Sequence, residues 1–293
     1  MRRGWIISAA LVAALLSLTA AASAQTIGLA ISTLNNPFFV DLRDGAQAAA
    51  QAAGVRLVVA DAQNDPARQL SDIENFIIQG VDLIIVNPTD SSAVVPAILQ
   101  ANAAGIPVIT VDRGADDGEV VSHIASDNVA GGRMAGEYIV ERLGGSGKVV
   151  ELVGIPGTSA ARDRGQGFNE VIQQHPGITV VARQDANFDR AQGLAVMENI
   201  LQAQPEIDAV FAHNDEMALG ALTAIEAAGR QMIVVGFDAT ADAVRAVEEG
   251  RMDATVAQQP VLMGELAVKT AIAYLRGEPV EAFIPVPLML VTR

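Results

Sequence analysis

The sequence predicts two α/β lobes of similar size, each built around a parallel sheet. Short apolar runs bounded by Asp, Asn, Gly or Pro alternate with amphipathic stretches of about 12 to 18 residues, which is the pattern of βαβ units. The pattern occurs twice, and polar segments at 126–128 and 258–260 separate its parts. The chain length of 293 residues also favours two domains, because single cores rarely grow beyond about 250–300 residues.

The first series contains predicted strands at 26–32, 55–60, 83–86, 108–111 and 121–124, with helices at 37–53, 66–79 and 92–104. Pro37 and Pro66 suit the first turn of a helix, because proline lacks the N–H group that a helix start leaves unpaired. Gly54, Gly80 and Gly105 suit the position just past the last turn. Each of these helices therefore has at least one marked end.

The second series contains predicted strands at 148–153, 178–182, 209–212, 233–236 and 254–257, with helices near 159–174, 190–203, 216–228 and 239–249. A further helix at 261–276 lacks a partner in this series, so we expect it to return to the first lobe. A last strand at 286–290 would cross once more. Three crossings predict a three-strand hinge between two Rossmann-like lobes, 25–126 with 259–286 and 127–258 with 287–293.

Residues 1–24 have the features of a cleavable secretory signal peptide. Arg2 and Arg3 precede an apolar run at 5–18, and the small residues at 22–24 fit a cleavage site. The alternative, a transmembrane anchor, would need about 20 apolar residues and usually a charged stop signal. We therefore expect the protein to be exported.

Charge and residue usage exclude several classes of function. Loss of residues 1–24 removes two arginines and no acidic residue, which changes the formal net charge from −15 to −17. No nucleic-acid partner is expected, because phosphate binding needs a basic face. The chain has no cysteine, and its three histidines are far apart in the sequence, so we expect neither a metal site nor a cofactor.

Polar and aromatic side chains cluster where the predicted strands end. They are Asn36, Phe38, Phe39, Asp112, Arg113, Arg162, Asp163, Arg164, Phe188, Asn214, Asp215, Phe237, Asp238 and Gln258. Taken singly, an Asp or Asn at such a place is more often a helix cap or a turn former. Open parallel sheets, however, bind ligands beyond the carboxyl ends of their strands. Planar groups can form two hydrogen bonds to the hydroxyls of a sugar, and aromatic rings can cover its C–H faces. These residues therefore indicate a sugar site in the cleft between the two lobes.

Two alternatives to a binding site have weaker support. A glycosidase could draw its carboxylate pair from Asp112, Asp163 and Asp238, but no feature marks one of them as an acid with a raised pKa. The Gly-Gly-Ser-Gly-Lys run at 144–148 lacks the Ser or Thr of a phosphate loop and precedes a strand, so we interpret it as a helix stop. We expect no catalytic residue and no enzymatic activity.

Five segments after the signal resemble the type I periplasmic sugar-binding proteins of bacterial ABC importers, and in particular their ribose-binding members. The segments are Ser-Thr-Leu-Asn-Asn-Pro-Phe-Phe at 32–39, Asn-Pro-Thr-Asp at 87–90, 121–128, Gly-Thr-Ser-Ala-Ala-Arg at 157–162, and 214–222. Because these segments are spread from residue 32 to residue 222, the resemblance is more specific than any one motif.

The resemblance implies a ligand-binding role for ten residues. Phe38 and Phe39 would cover one face of a pyranose and Phe188 the other, with Asn36 in the same wall. The ring of hydroxyl-binding groups would consist of Asp112, Arg113, Arg164, Asn214, Asp238 and Gln258. Arg162 would be a neighbour and not a contact. His213 stands where the ribose binders have Gln, and strand alternation predicts that it faces away from the sugar.

The resemblance also implies a mechanism and partners. A monomer in the periplasm would capture D-ribose between its lobes, close about the hinge and deliver the sugar to an ABC permease in the inner membrane. Another sugar such as allose or xylose, or a secreted carbohydrate-active enzyme, is the alternative, and a chemoreceptor is left open as a further partner. A sugar-responsive repressor of this architecture would need a helix-turn-helix where the chain has its signal.

Overall fold

A computed structural model describes residues 25–293, and the predicted signal peptide at 1–24 lies outside the described residues. Within this range, twelve strands form two six-stranded sheets, which confirms the two α/β lobes. None of the described helices combines the length and the apolar character needed to cross a membrane.

The first sheet has the order β11-β5-β4-β3-β1-β2 and is parallel throughout. Its lobe consists of β1 (Thr26–Ile31), α1 (Pro37–Ala53), β2 (Arg56–Asp61), α2 (Pro66–Gln79), β3 (Leu83–Val86), α3 (Val95–Ala103), β4 (Val108–Val111), β5 (Ser122–Ser126), α9 (Pro260–Leu275) and β11 (Phe283–Val286). Two buried apolar clusters, one on each face of the sheet, contain its helices. This is the layering expected when crossover helices cover a parallel sheet.

The second sheet has the order β12-β10-β9-β8-β6-β7, and only its edge strand β12 is antiparallel to its neighbour. Its lobe consists of α4 (Asn128–Arg142), β6 (Gly147–Val153), α5 (Ser159–Gln173), β7 (Ile178–Asp185), α6 (Arg190–Ala203), β8 (Ala209–Ala212), α7 (Asp215–Ala227), β9 (Ile233–Asp238), α8 (Ala241–Glu248), β10 (Ala254–Ala257) and β12 (Met289–Thr292).

The chain passes between the sheets three times, after β5, after β10 and after β11. The single strand predicted at 286–290 was wrong, because β11 ends in the first sheet and β12 begins in the second. Helix α4 was not predicted. The residue limits of the two lobes stay a prediction.

Three helix pairs cross so closely that backbone touches backbone. Each crossing has one glycine from either helix: Gly45 with Gly264, Gly132 with Gly167, and Gly193 with Gly220. A Cβ atom on Gly264 would lie 1.9 Å from the carbonyl oxygen of Leu42, so no larger residue fits without a shift. These crossings fix α1 on α9, α4 on α5 and α6 on α7, and α5 carries two residues of the cavity described next.

Candidate functional site

A cavity lies where the carboxyl ends of the strands in the two sheets face each other, and the empty space among its lining residues, part of it open to solvent, is about 230 Å³. Its lining consists of Asn36, Phe38, Phe39, Asp112, Arg113, Ala160, Arg164, Phe188, Asn214, Asp238 and Gln258. The structure thus brings together all ten residues for which the resemblance implies a ligand-binding role and adds Ala160. Their role in ligand binding stays a prediction.

Aromatic rings from both lobes flank one arginine of the cavity. Phe38 and Phe39 follow β1 and meet edge to face, with ring centres 5.2 Å apart. The guanidinium of Arg113 lies 5.0 Å from the ring centre of Phe39 and 5.3 Å from that of Phe188, which follows β7 in the other lobe. These distances are within cation–π range. Burial lowers the pKa of Arg113 to about 10, so the group is still charged at neutral pH.

Arg164, on α5, is held on three sides. Its Nε donates to Asn128 Oδ1 at 2.8 Å, and its Nη1 donates to the carbonyl oxygen of His213 at 2.6 Å. The guanidinium stacks on the Phe237 ring, 3.8 Å from its centre, and Nη1 is 3.8 Å from Asp238 Oδ1. Burial lowers the pKa of Arg164, and the nearby carboxylates oppose that change. The side chain is therefore a fixed, buried cation with little freedom to move.

Asp238 ends β9 and is the most perturbed acid of the cavity. Burial raises its pKa well above the ordinary value, while the charge of Arg164 acts in the opposite direction. Gln258 Nε2 donates to its Oδ1 at 2.8 Å. Behind it, Asp215 accepts hydrogen bonds from the Thr240 backbone N–H and the Thr255 hydroxyl, both at 2.7 Å. Asp215 thus fixes the loop that carries Asp238.

Backbone strain is concentrated at the cavity. Asp112, Phe188 and Asp238 have φ angles of 62°, 56° and 121°, a region that residues with side chains seldom occupy. Such conformations persist only where the surroundings enforce them, and they are common at functional sites. At Asp112 the enforcing group is Asn87, whose Nδ2 donates to the carboxylate at 3.1 Å.

The cavity leaves one buried donor and one buried acceptor without a partner in the described residues: Arg113 Nε and Gln258 Oε1. The side-chain oxygens of Asn36 and Asn214 cap α1 and α7, and the Asn214 amide group donates to the Phe188 carbonyl oxygen at 3.3 Å. Two arginines face two aspartates, so the charges balance. This arrangement suits a small, neutral ligand that both donates and accepts hydrogen bonds.

Several residues singled out from the sequence lie outside the cavity. Arg162 is exposed and pairs with Asp116 and Asp163, and neither Arg162 nor Asp163 lines the cavity beside Asp112 and Asp238. His213, as its strand position predicts, turns its ring toward Glu151. No group of His, Asp and Glu in residues 25–293 could hold a metal ion.

Three buried polar partners were not singled out from the sequence: Asn87, Asn128 and Glu151. Asn87 and Asn128 lie in segments that carry the resemblance, and that was the only signal for them.

The lobes also touch each other beside the cavity. The Ser91 backbone N–H donates to the carbonyl oxygen of Gly157 at 2.9 Å, and Ser159 N–H donates to the Ser91 hydroxyl at 3.1 Å. In return, Gly114 N–H donates to the Ser159 hydroxyl at 2.9 Å. We call these residues the serine contact. It joins the loops after β3 and β4 to the start of α5 without lining the cavity.

Comparison with known proteins gives consistent results. Residues 27–279 match the family model of the periplasmic binding protein domain. The ribose import binding protein of Haemophilus influenzae is 55% identical over 278 residues, which cover 94% of this chain and 95% of the relative. The ribose import binding protein of Escherichia coli K12 is 52% identical over 289 residues, which cover 98% of this chain and 97% of the relative.

Solved structures show the same architecture. A solute binding protein of an ABC transporter from Bacillus halodurans, with bound myo-inositol, superposes with a TM-score of 0.89 at 37% identity and covers 94% of this chain and 96% of its own. A periplasmic solute binding protein from Actinobacillus succinogenes, with bound D-allose, has a TM-score of 0.86 at 33% identity, with coverage of 92% and 97%.

Proposed function

The chain belongs to the periplasmic binding protein domain family, and from this premise we propose that it is the sugar-binding component of an ABC importer, with D-ribose as its ligand. The observation that carries the proposal is the cavity between the lobes, with aromatic faces, paired charges and planar hydrogen-bonding groups. Relatives that are 52% and 55% identical are ribose import binding proteins, which supports ribose in particular.

Enclosure by both lobes is physically needed for such a ligand. A pentose has about ten non-hydrogen atoms, so a micromolar Kd, about −8 kcal/mol, requires about −0.8 kcal/mol per atom against a ceiling near −1.5. A one-sided surface site could not approach that figure.

The proposal also covers where the protein acts, which partner it meets and whether it is an enzyme. The signal-like residues 1–24 would direct the chain to the periplasm, where the closed form would meet a permease in the inner membrane. We propose that the protein acts as a monomer. We also propose that it has no catalytic activity, because each carboxylate of the cavity is paired with an amide or an arginine. A second candidate ligand is allose, because a structural neighbour was solved with D-allose bound.

Titration calorimetry on the mature protein, stripped of bound sugar by unfolding and refolding, tests the proposal. The panel is ribose, allose, xylose, arabinose, galactose and glucose. We expect tight binding of ribose and at least about a hundredfold weaker binding of the others, because a hydroxyl of the wrong configuration leaves a buried group unpaired and a hexose adds a CH2OH group that the cavity must also hold. Preference for another sugar would refute the assignment of ribose as the ligand but would leave the proposed role in sugar import intact. Turnover of aryl glycosides that Asp238→Asn abolishes would refute the binding role itself.

A further inference from the structure

A buried pair of a histidine and a carboxylate lies directly behind the cavity. The side chains of Glu151, on β6, and His213, after β8, are each 1% exposed, and His213 Nε2 is 2.9 Å from Glu151 Oε1. Glu151 also accepts from Arg183 Nε at 2.7 Å and from Asn169 Nδ2 at 3.2 Å. A buried carboxylate persists only when it is well paired. Nothing proposed so far uses this pair.

The neighbours of His213 define its protonation state. The Gly154 backbone N–H points at Nδ1 from 3.4 Å, so Nδ1 is the acceptor. Nε2 then carries the single proton and donates it to Glu151. Burial lowers the pKa of His213, although Glu151 favours the charged form. The ring is therefore neutral at pH 7.

His213 is connected to two walls of the cavity. The ring of Phe188 lies on Gly154 so closely that a Cβ atom there would be 2.0 Å from Phe188 Cζ. Gly154 in turn donates to the His213 ring. On the other side, the His213 carbonyl oxygen accepts from Arg164 Nη1 at 2.6 Å. One residue thus supports both the aromatic face and the buried cation.

A second proton on His213 would disturb both connections. An Nδ1–H group would point at the Gly154 N–H group, so two hydrogen-bond donors would face each other and neither would have an acceptor there. The charged groups facing the ring from the packed elements are Glu151 on β6, which attracts an imidazolium, and Arg164 on α5 with Arg183 on β7, which repel it. Of these two arginines, Arg164 lines the cavity, so an imidazolium would repel a residue that faces the ligand.

We propose that the Glu151–His213 pair positions Phe188 and Arg164, and that uptake of a second proton by His213 weakens sugar binding. Both would be positioning residues, since neither lines the cavity. The inference rests on the proposed function and adds a regulation of the same site by acid.

The test is ribose affinity between pH 7.5 and pH 5.0 for the wild type, His213→Gln and Glu151→Gln. At pH 7.5 we expect His213→Gln to stay within about threefold of the wild type, because glutamine can also donate to Glu151 and accept from Gly154. Toward pH 5.0 the wild type should lose about tenfold more affinity than His213→Gln. Glu151→Gln should move the acid loss to lower pH, because it removes the charge that favours the imidazolium.

His175→Gln is the matched control, because His175 lies in the loop after α5 and bonds the Val171 carbonyl oxygen instead. Its profile should follow the wild type. Identical profiles for the wild type and His213→Gln would overturn the inference and leave the proposed function intact. Absence of any sugar binding by the wild type at pH 7.5 would refute the proposed function instead.

A measurement on the wild type alone covers the case in which a variant does not fold. The Cε1–H resonance of His213 is followed by NMR through a pH titration with and without ribose. The midpoint should be lower with ribose bound, because ribose binds the protein with a neutral His213 more tightly than the protein with a doubly protonated His213. An equal midpoint in both forms would contradict the inference.

Discussion

At the scale of single residues, Arg164 and Asp238 are the charges whose removal should matter most. Both side chains are nearly inaccessible to solvent, and they form an ion pair in which Arg164 Nη1 lies 3.8 Å from Asp238 Oδ1. We expect Arg164→Ala and Asp238→Ala each to cost more than about 2 kcal/mol of sugar affinity, because a buried partner is left unpaired. Calorimetry checks this, with the exposed Arg162→Ala as control. Near-wild-type affinity in both variants would place the ligand elsewhere.

Asp215 should make the stability depend on pH. Burial raises its pKa to about 7, whereas hydrogen bonds from Thr255 and Thr240 act in the opposite direction. Between about pH 4 and pH 7 the folded chain holds a proton there that the unfolded chain has lost, so this group lowers the free energy of unfolding as pH rises. The upper limit of the decline is about 4 kcal/mol, at 1.36 kcal/mol per pKa unit.

Asp215→Asn removes that decline, because an amide can keep the same shape without titrating. Urea unfolding at several pH values should show a flatter profile for Asp215→Asn than for the wild type across this window. Asp189→Asn, at an exposed helix cap, is the control and should keep the wild-type slope. Equal slopes in all three proteins would contradict the assignment.

Ten of the cavity residues could be singled out from the sequence because most of them lie close to the end of a predicted strand, and Asn36, Phe38, Phe39 and Asn214 also lie in segments that carry the resemblance. The sequence could not identify the groups that hold them. Glu151 lies inside an apolar strand pattern, and nothing local shows that it meets His213, 62 positions away. The partners of Arg164 and Asp112 likewise depend on strand order, which a sequence pattern does not give.

At the scale of elements, the crossing of α4 and α5 sets the position of Arg164. Gly132 packs against the Arg164 backbone, and a Cβ atom there would lie 2.1 Å from the Arg164 carbonyl oxygen. Gly132→Ala should therefore lower the free energy of unfolding by about 1–3 kcal/mol and also weaken sugar binding. Thermal unfolding and calorimetry measure the two effects.

Gly136→Ala is the matched control, one turn further along α4. There the new Cβ would meet the side chain of Val171 at 3.1 Å, which can move aside. We expect a stability change of less than about 1 kcal/mol, because the gain in helix propensity offsets the contact. Equal losses in Gly132→Ala and Gly136→Ala would show that the crossing does not determine the site.

The same helix explains the main omission from the sequence analysis. The buried face of α4 includes Gly131, Gly132 and Gly136, which weaken helix propensity and give no apolar periodicity. The last strand was misplaced for a related reason. Val286, Leu288 and Leu290 alternate as in one strand, but the change of sheet between β11 and β12 leaves no mark in the pattern.

At the scale of the whole molecule, the serine contact holds the lobes together independently of the cavity. Ser91→Ala and Ser159→Ala each remove a hydroxyl that accepts a hydrogen bond from the other lobe. We expect apparent sugar affinity to fall about three- to tenfold in each, because a hydrogen bond contributes about 0.5–1.5 kcal/mol to the closed form. Ser92→Ala, whose hydroxyl bonds Asp116 in the same lobe, is the control.

Small-angle scattering should show the closure itself. Saturating ribose should reduce the radius of gyration of the wild type, and the reduction should be smaller in Ser159→Ala at the same sugar concentration. No compaction in the wild type would contradict hinge closure, whatever the calorimetry shows.

The three crossings also determine the order in which the lobes can form during synthesis. The core of the first lobe contains Met263, Ala267 and Ala271 of α9 together with Ile27 and Leu42. Domains usually fold as units, the N-terminal one first, while the chain is still growing. Here the first lobe lacks its core helix α9 until residue 275 and its edge strand β11 until residue 286, so it stays incomplete until strands β6 to β10 of the second lobe have been synthesised.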